Sequence, residues 1–377
     1  MASAMTDTFE IFLVATPGLE APLAAEAREL GWTPAIQPGG VTVSGPWRDV
    51  MRANLMLRGA TRVLARVGSF RAMHLAQLDK RARKFPWADW LRPEVPVRVE
   101  ASSKASRVYH AGAITQRIER ALVEELGATI AKPEATDPSV TVKVRIEDDL
   151  CTISLDTTGE SLHKRGHKQA VAKAPMRETM AAMFLREMGF DGSQPVLDPM
   201  CGSGTFVIEA AGMAAGMAPG RSRSFAFELL ANFDAAAWQA LRAGVTPHAP
   251  TARFTGSDRD AGAVRMSLAN AERAGVADWT GFAQGAIADL QRPEGPAGIV
   301  IINPPYGARV GNKGPLFGLH ANMGEVLRSR LAGWRVGIVT SEAGLAKATG
   351  LPFLPPGPIV AHGGLKVRLW QTGILGG

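Results

Sequence analysis

Two stretches hold side chains whose types and spacing could do chemistry. Residues 195–212 (PVLDPMCGSGTFVIEAAG) read as a short buried strand, an acidic residue at its end, Asp198, and a turn that opens an apolar helix. That turn is Met200, Cys201, Gly202, Ser203, Gly204 and Thr205. Residues 299–307 (IVIINPPYG) read as a fully buried strand running into Asn303, Pro304, Pro305 and Tyr306. Gly202 and Gly204 let backbone N–H groups approach a ligand with no side chain between. The pattern is not the G-x-G-x-x-G of dinucleotide folds, and a carboxylate at Asp198 would repel a pyrophosphate. It suits instead the amino-acid ammonium of S-adenosylmethionine. Asp258 ends the next strand in FTGSDRD, followed by Arg259, and is placed to accept hydrogen bonds from ribose hydroxyls. Its separation from the glycines exceeds the usual ~20 residues, which an extra segment at 218–250 explains.

The asparagine-proline corner makes sense for one task. An exocyclic amine on a nucleobase is a poor nucleophile because its lone pair is delocalised into the ring. The Asn303 side-chain oxygen and the Pro304 carbonyl can take its two hydrogens and favour a pyramidal nitrogen. Pro304 and Pro305 stiffen the turn, and Tyr306 can stack on a base that has left its helix. A methyl on a sulfonium is already activated, so catalysis reduces mainly to alignment. No Ser-His-Asp set, catalytic cysteine or metal is required. The plain alternative is a proline-rich turn after a core strand. Two prolines and one of only two tyrosines behind a four-residue apolar run argue against it.

At 377 residues, two or three domains are expected. No apolar run approaches the ~20 residues that span a bilayer, the first residues lack the features of a signal peptide, and Cys151 and Cys201 form no C-x-x-C. A cytoplasmic protein without a disulfide scaffold or a cysteine zinc site is expected. The net charge is +7, with a local excess of cations. Residues 47–107 carry fourteen Lys/Arg against five Asp/Glu, whereas 1–46 carry one against five and 108–156 five against nine. Such locality is what a polyanion footprint requires, although a solvated surface would look the same.

Strands near 9–15, 41–43 and 62–67 alternate with helices at 19–30 and 49–57, which predicts a small α+β layer. A basic helix at 76–84, a strand at 95–101, a helix at 111–126 and a hairpin at 140–155 predict a second module. Lys80, Arg81, Arg83, Lys84, Lys104 and Arg107 would form its cationic face. Trp87 and Trp90 either stack on bases or belong to the core, and their closeness to a strand favours the core. Residues 157–173 read as a polar, basic connector, solvated or facing phosphate. His163 and His167 within it have no third metal ligand nearby and several cations around them. Beyond 175, apolar strands alternate with helices, the pattern of an open, mostly parallel sheet with helices on both faces. The 218–250 segment is expected as a helical excursion on that sheet's edge.

DPMCGSGTFVIEAA, GSDRDAGAVRMSLANAERAG and INPPYG resemble the methyltransferase half of THUMP-domain RNA methyltransferases, which form N2-methylguanosine, in bacteria typically in large-subunit (23S) ribosomal RNA. ATPGLEAPLAAEARELG is similar to that family's ferredoxin-like opening, and SLDTTGESLHKRGHK with APMRETMAA to its junction and cofactor-covering helix. The resemblance implies an α/β protein with a Rossmann-like class I methyltransferase domain at 161–377. Before it would stand a ferredoxin-like domain at 1–67 and a THUMP RNA-binding domain at 68–160. It implies that Asp198, the 200–205 turn, Asp258 and Arg259 bind S-adenosylmethionine and that Asn303 to Tyr306 hold the guanine amine. The family places an aspartate near the adenine amine in a G-D-A-x-D-L-like stretch. Here that stretch is GAIADL, with Ala286 at the first carboxylate position and Asp289 following. Some relatives fuse a second methyltransferase unit, and a stand-alone enzyme is the expectation here. Two rival readings stay open: an amino methyltransferase acting on transfer-RNA guanine or on adenine, and a non-catalytic RNA-binding or ribosome-assembly factor.

Overall fold

The computed structural model describes residues 8–132, 134, 136–168, 176–306 and 314–376. Gly307, residues 169–173 of the expected connector and Pro175 lie outside the described residues. The first half runs β1 (Phe9–Val14), α1 (Glu20–Glu29), β2 (Ala35–Gln37), β3 (Gly40–Gly45), α2 (Trp47–Met56), β4 (Arg62–Arg71), α3 (Leu75–Arg83), β5 (Val97–Lys104), α4 (Ala111–Leu126), β6 (Val140–Glu147) and β7 (Leu150–Asp156). The second runs α5 (Glu178–Glu187), β8 (Val196–Asp198), α6 (Thr205–Ala214), α7 (Ala235–Ala243), β9 (Phe254–Asp258), α8 (Ala261–Ala274), β10 (Thr280–Gln284), β11 (Ile299–Ile302), α9 (Gly314–Arg330), β12 (Arg335–Thr340), α10 (Ala343–Ala348), β13 (Val360–His362) and β14 (Leu365–Ile374). Two compact units result. One comprises Met1–Val14, Ala27–Leu162 and Arg223–Gly244; the other comprises Ala15–Glu26, His163–Ser222 and Val245–Gly377.

In the first unit the two expected α+β layers share one seven-stranded sheet, ordered β2-β3-β1-β4-β7-β6-β5. β4 joins them: it pairs antiparallel with β1 through 62–66 and with β7 through 64–71. The register shifts between Arg66 and Gly68, and a Cβ on Gly68 would sit 2.6 Å from the Phe85 ring. Trp87 and Trp90 are buried; the Trp87 indole N–H donates to the Ala82 carbonyl at 2.8 Å, and Trp90 packs against Phe9 and Trp47. They are core residues and do not stack on RNA.

The excursion at 218–250 is corrected by the structure. Residues 223–244 do not edge the second sheet; they pack in the first unit. Their apolar content is an aromatic cluster, Phe225, Phe227, Phe233 and Trp238, whose rings contact one another. Backbone bonds hold it there: Phe227 N–H donates to the Thr157 carbonyl at 3.0 Å and Ala231 N–H to the Trp90 carbonyl at 2.9 Å.

The second unit is the expected open sheet, ordered β10-β9-β8-β11-β12-β14-β13. Strands β10, β9, β8, β11 and β12 are parallel, and β14 runs antiparallel beside β12. Helices covering both faces explain why Ile299, Val300, Ile301 and Ile302 are all 0% exposed. One face packs Leu197, Val300 and Ile302 against Met323, Leu327 and Trp334.

Candidate active site

β8 lies between β9 and β11, and strand order reverses there, which opens a crevice beyond the carboxyl ends of the two central strands. The register pairs Val196 with Ile299 and Leu197 with Val300. Continuing it sets Asp198 opposite Ile301, two residues before Asn303. Adjacent strands lie about 4.8 Å apart, so Asp198 and Asn303 emerge at the same sheet edge as neighbours.

The glycine turn is fixed from both sides. Gly202 and Gly204 have φ of 54° and 81°, a left-handed backbone that a side chain would strain. A Cβ on Gly204 would also stand 3.1 Å from the Phe282 ring and from Ser267. The Cys201 N–H donates to the Ser257 carbonyl at 2.9 Å, and the Gly202 N–H to Asp258 Oδ2 at 3.0 Å. Asp258 Oδ1 accepts from the Asp260 N–H at 3.0 Å, leaving each carboxylate oxygen a further lone pair. Two α8 residues overlooked in the sequence complete the frame. The Ser267 hydroxyl donates to the Gly202 carbonyl and Asn270 Nδ2 to the Ser203 carbonyl, both at 3.0 Å. Both are fully buried, and their three-residue spacing on the buried stripe of a helix was the available signal.

Burial decides the electrostatics. Asp198 is 2% exposed and accepts a 3.1 Å bond from the Met200 N–H. Burial pushes its pKa up to about 8, against that one bond, with a smaller upward push from Asp258. A carboxylate so placed gains from a cationic partner. Asn303 Oδ1 is buried with no hydrogen-bond partner among the described residues. Pro304 is buried, Tyr306 half-buried and Pro305 exposed. Arg259 and Asp289 are both exposed; Arg259 gives its carbonyl to Gln284 Nε2 at 3.2 Å, and Asp289 closes a 3-10 turn beginning at Ile287. Cys201 is buried and its thiol pKa is pushed up by that burial, so it is no nucleophile.

The connector is less solvated than expected. Thr157 and Thr158 are 0% exposed: Asn54 Nδ2 donates to Thr157 Oγ1 at 2.9 Å, and Thr158 Oγ1 donates to Asn54 Oδ1 at 2.7 Å. Arg165 is buried against Glu209 of α6 at 3.2 Å. Lys168 reaches Thr205 Oγ1 at 2.9 Å and Glu178 at 3.2 Å, tying the connector to the first residue of α6. His163 and His167 have pKa values lowered to about 4, chiefly by burial, and among the nearby charges Arg165 and Lys168 lower both further.

On the expected cationic face, Lys80 and Arg81 of α3 and Lys84 at its C-cap are exposed. Arg83 is not available in the same way. It pairs with Asp79 at 2.9 Å and with Glu124 and Glu125 of α4 at 2.6 and 2.9 Å, which hold it charged. Lys104 and Arg107 are exposed but lie 3.2 Å from Glu147 and 3.7 Å from Asp149.

Strand order and the groups ending β8 and β11 make the second unit a class I S-adenosylmethionine-dependent methyltransferase fold. Residues 165–352 match the RMKL-like methyltransferase domain, 10–64 the RlmL ferredoxin-like domain and 72–156 the THUMP domain. A Synechocystis protein assigned as an RNA methyltransferase is 30% identical over 370 residues, covering 95% of each chain. The ribosomal RNA large subunit methyltransferase K/L of Pseudomonas aeruginosa is 34% identical over 92% of this chain, which spans 50% of that protein. SMU.472, assigned as a methyltransferase and crystallised in complex with S-adenosylhomocysteine, superposes with a TM-score of 0.86 at 29% identity, covering 99% of both chains. The chain belongs to the THUMP-domain S-adenosylmethionine-dependent RNA methyltransferases.

Proposed function

We propose that this enzyme methylates the exocyclic N2 of a guanosine in large-subunit ribosomal RNA. The observation that carries the reading is the buried Asn303 Oδ1, without a hydrogen-bond partner among the described residues, at the strand end beside Asp198. An orphaned buried acceptor costs about 1–3 kcal/mol, so a fold that keeps one at this edge has a use for it. The ribosomal substrate comes from the name of the Pseudomonas aeruginosa relative.

The residues present fit the cofactor. Asp198 would take its ammonium, Asp258 its ribose hydroxyls, and the glycine turn would lie along it without side-chain interference. Asp289 and Arg259 would complete the cofactor's surroundings from exposed positions beyond the ends of β10 and β9. The cofactor supplies a methyl group on a sulfonium, so the protein need supply no acid. Asn303 Oδ1 and the Pro304 carbonyl accept the two amine hydrogens, turn the nitrogen lone pair out of the ring plane and aim it at the turn. With the cofactor bound, its methyl would pass to the nitrogen so held as its carbon–sulfur bond breaks, and the amine proton released would go to water. Tyr306 stacks on the base. In the same reading Lys80, Arg81 and Lys84 hold RNA phosphates, and the protein works in the cytoplasm.

The test is transfer of radiolabelled methyl to ribosomal and transfer RNA from cells lacking the protein, with the product nucleoside identified after digestion. Label in N2-methylguanosine of large-subunit RNA supports the proposal. Label in N6-methyladenosine or in transfer RNA alone would overturn the substrate, and no label at all would favour a binding factor.

A further inference from the structure

We propose that Tyr109 is a stacking platform for an unpaired base of the RNA substrate, a role that rests on the RNA-methyltransferase reading above. With both tryptophans of this region buried, Tyr109 is an aromatic that stays out, 79% exposed in the loop between β5 and α4. Exposing a ring of this size forgoes its burial; a single exposed aromatic is ordinary by itself, and what sets this one apart would be a fixed backbone and charged surroundings.

Both conditions hold. On one side, Val108 is buried and its carbonyl accepts from the Ser103 hydroxyl at 2.8 Å. On the other, His110 caps α4, its Nδ1 accepting from the Ala113 N–H at 3.1 Å. The Arg107 N–H donates to Asp149 Oδ1 at 2.8 Å, pinning the loop to the β6–β7 hairpin. The ring therefore stands out from a held backbone and loses little freedom on stacking.

The loop is also joined to the α3 cations. The Arg107 guanidinium lies 3.2 Å from Met73 Sδ, and the Met73 N–H donates to Gln77 Oε1 at 2.9 Å. Asp79 with Arg117, and Arg83 with Glu124, show that α3 and α4 run side by side in the same direction. Lys80, Arg81 and Lys84 thus follow from the Tyr109 end along a helix rising about 1.5 Å per residue. Arg107 and Lys104 have side chains more than 70% exposed, and their surface ion pairs are weak enough to exchange for phosphate. An aromatic face leading into a row of cations is the arrangement that single-stranded nucleic acid occupies.

The experiment measures binding of an unstructured single-stranded oligoribonucleotide and of a blunt RNA duplex to the full chain carrying Tyr109, Y109A or Y109F, over a salt series. Y109A should weaken single-strand binding about 5–150-fold with an unchanged salt slope, because the ring is uncharged. Y109F should bind within about twofold of wild type, since the π face is kept, and duplex affinity should not move. Equal single-strand affinities for wild type and Y109A would overturn the platform. A defect confined to ribosomal particles, with oligonucleotide binding intact, would do so too and assign the face to a protein. The methylated nucleoside is identified in a separate assay. A Y109A binding defect without N2-methylguanosine would therefore keep the platform and sink the guanine reading, and the converse result would do the reverse.

Discussion

The Gly202 N–H donates to Asp258 Oδ2 at 3.0 Å, so the end of β9 holds the glycine turn that follows β8. The residue proposed to bind ribose thereby also shapes the surface along which the ligand lies.

Asp258→Ala should therefore weaken the enzyme twice over. A hydrogen bond to a charged group is worth about 1.5–3 kcal/mol, and both ribose acceptors go with the turn's anchor. Calorimetric titration with S-adenosylhomocysteine should show affinity falling at least about tenfold, with a lower melting temperature for the unliganded protein. An unchanged dissociation constant would remove Asp258 from the site.

Asn303→Ala separates chemistry from binding. The turnover number should drop about 10²–10³-fold, the range for losing an aligned transition-state partner, while S-adenosylhomocysteine affinity stays put. The unliganded variant should melt higher than wild type, because a buried acceptor without a partner is gone. Lost cofactor affinity would place Asn303 elsewhere in the reaction.

Asp198, with a pKa near 8 in place of 3.8, gives two opposed pH signatures. Its folded-state pKa is raised, so its contribution to stability is present below the unfolded value and is lost as pH rises through 8. Unliganded Asp198→Asn should match wild type near pH 4 and melt higher at pH 8. Ligand binding needs the carboxylate ionised, so cofactor-product affinity should climb between pH 6 and 8 in wild type, by at most about tenfold per pH unit, and stay flat in the variant. A flat wild-type profile would count against the ammonium contact.

Charge reversal on α3 should depend on which cation is chosen. Reversing Lys80, Arg81 and Lys84 together should weaken RNA binding and reduce its salt slope. Arg83→Gln should instead lower the melting temperature, because Asp79, Glu124 and Glu125 lose their shared partner, and leave the salt slope alone. Identical salt behaviour for the two variants would contradict the division.

What was legible in the sequence follows from how local each signal is. Four consecutive apolar residues at 299–302 announce a strand buried on both faces, and G-S-G after an acidic strand end announces a turn, because periodicity and glycine act over a few residues. Arg83 looked like another cation because two of its three carboxylate partners, Glu124 and Glu125, lie on a helix some forty residues away. Thr157 and Thr158 looked like linker because the side chain that makes their burial tolerable, Asn54, is about a hundred residues earlier. The aromatic cluster at 225–238 announced burial without saying against which unit. Trp87 and Trp90 were ambiguous for the same reason, and Tyr109 was passed over because exposure is a property of the folded chain.

β4 has a practical consequence. A strand that hydrogen-bonds to β1 along one side and β7 along the other makes the ferredoxin-like and THUMP portions a single mechanical plate. Cleaving or splicing the chain at residue 67 would slice through the middle of that plate. Fragments prepared to study RNA capture alone should begin upstream of β1.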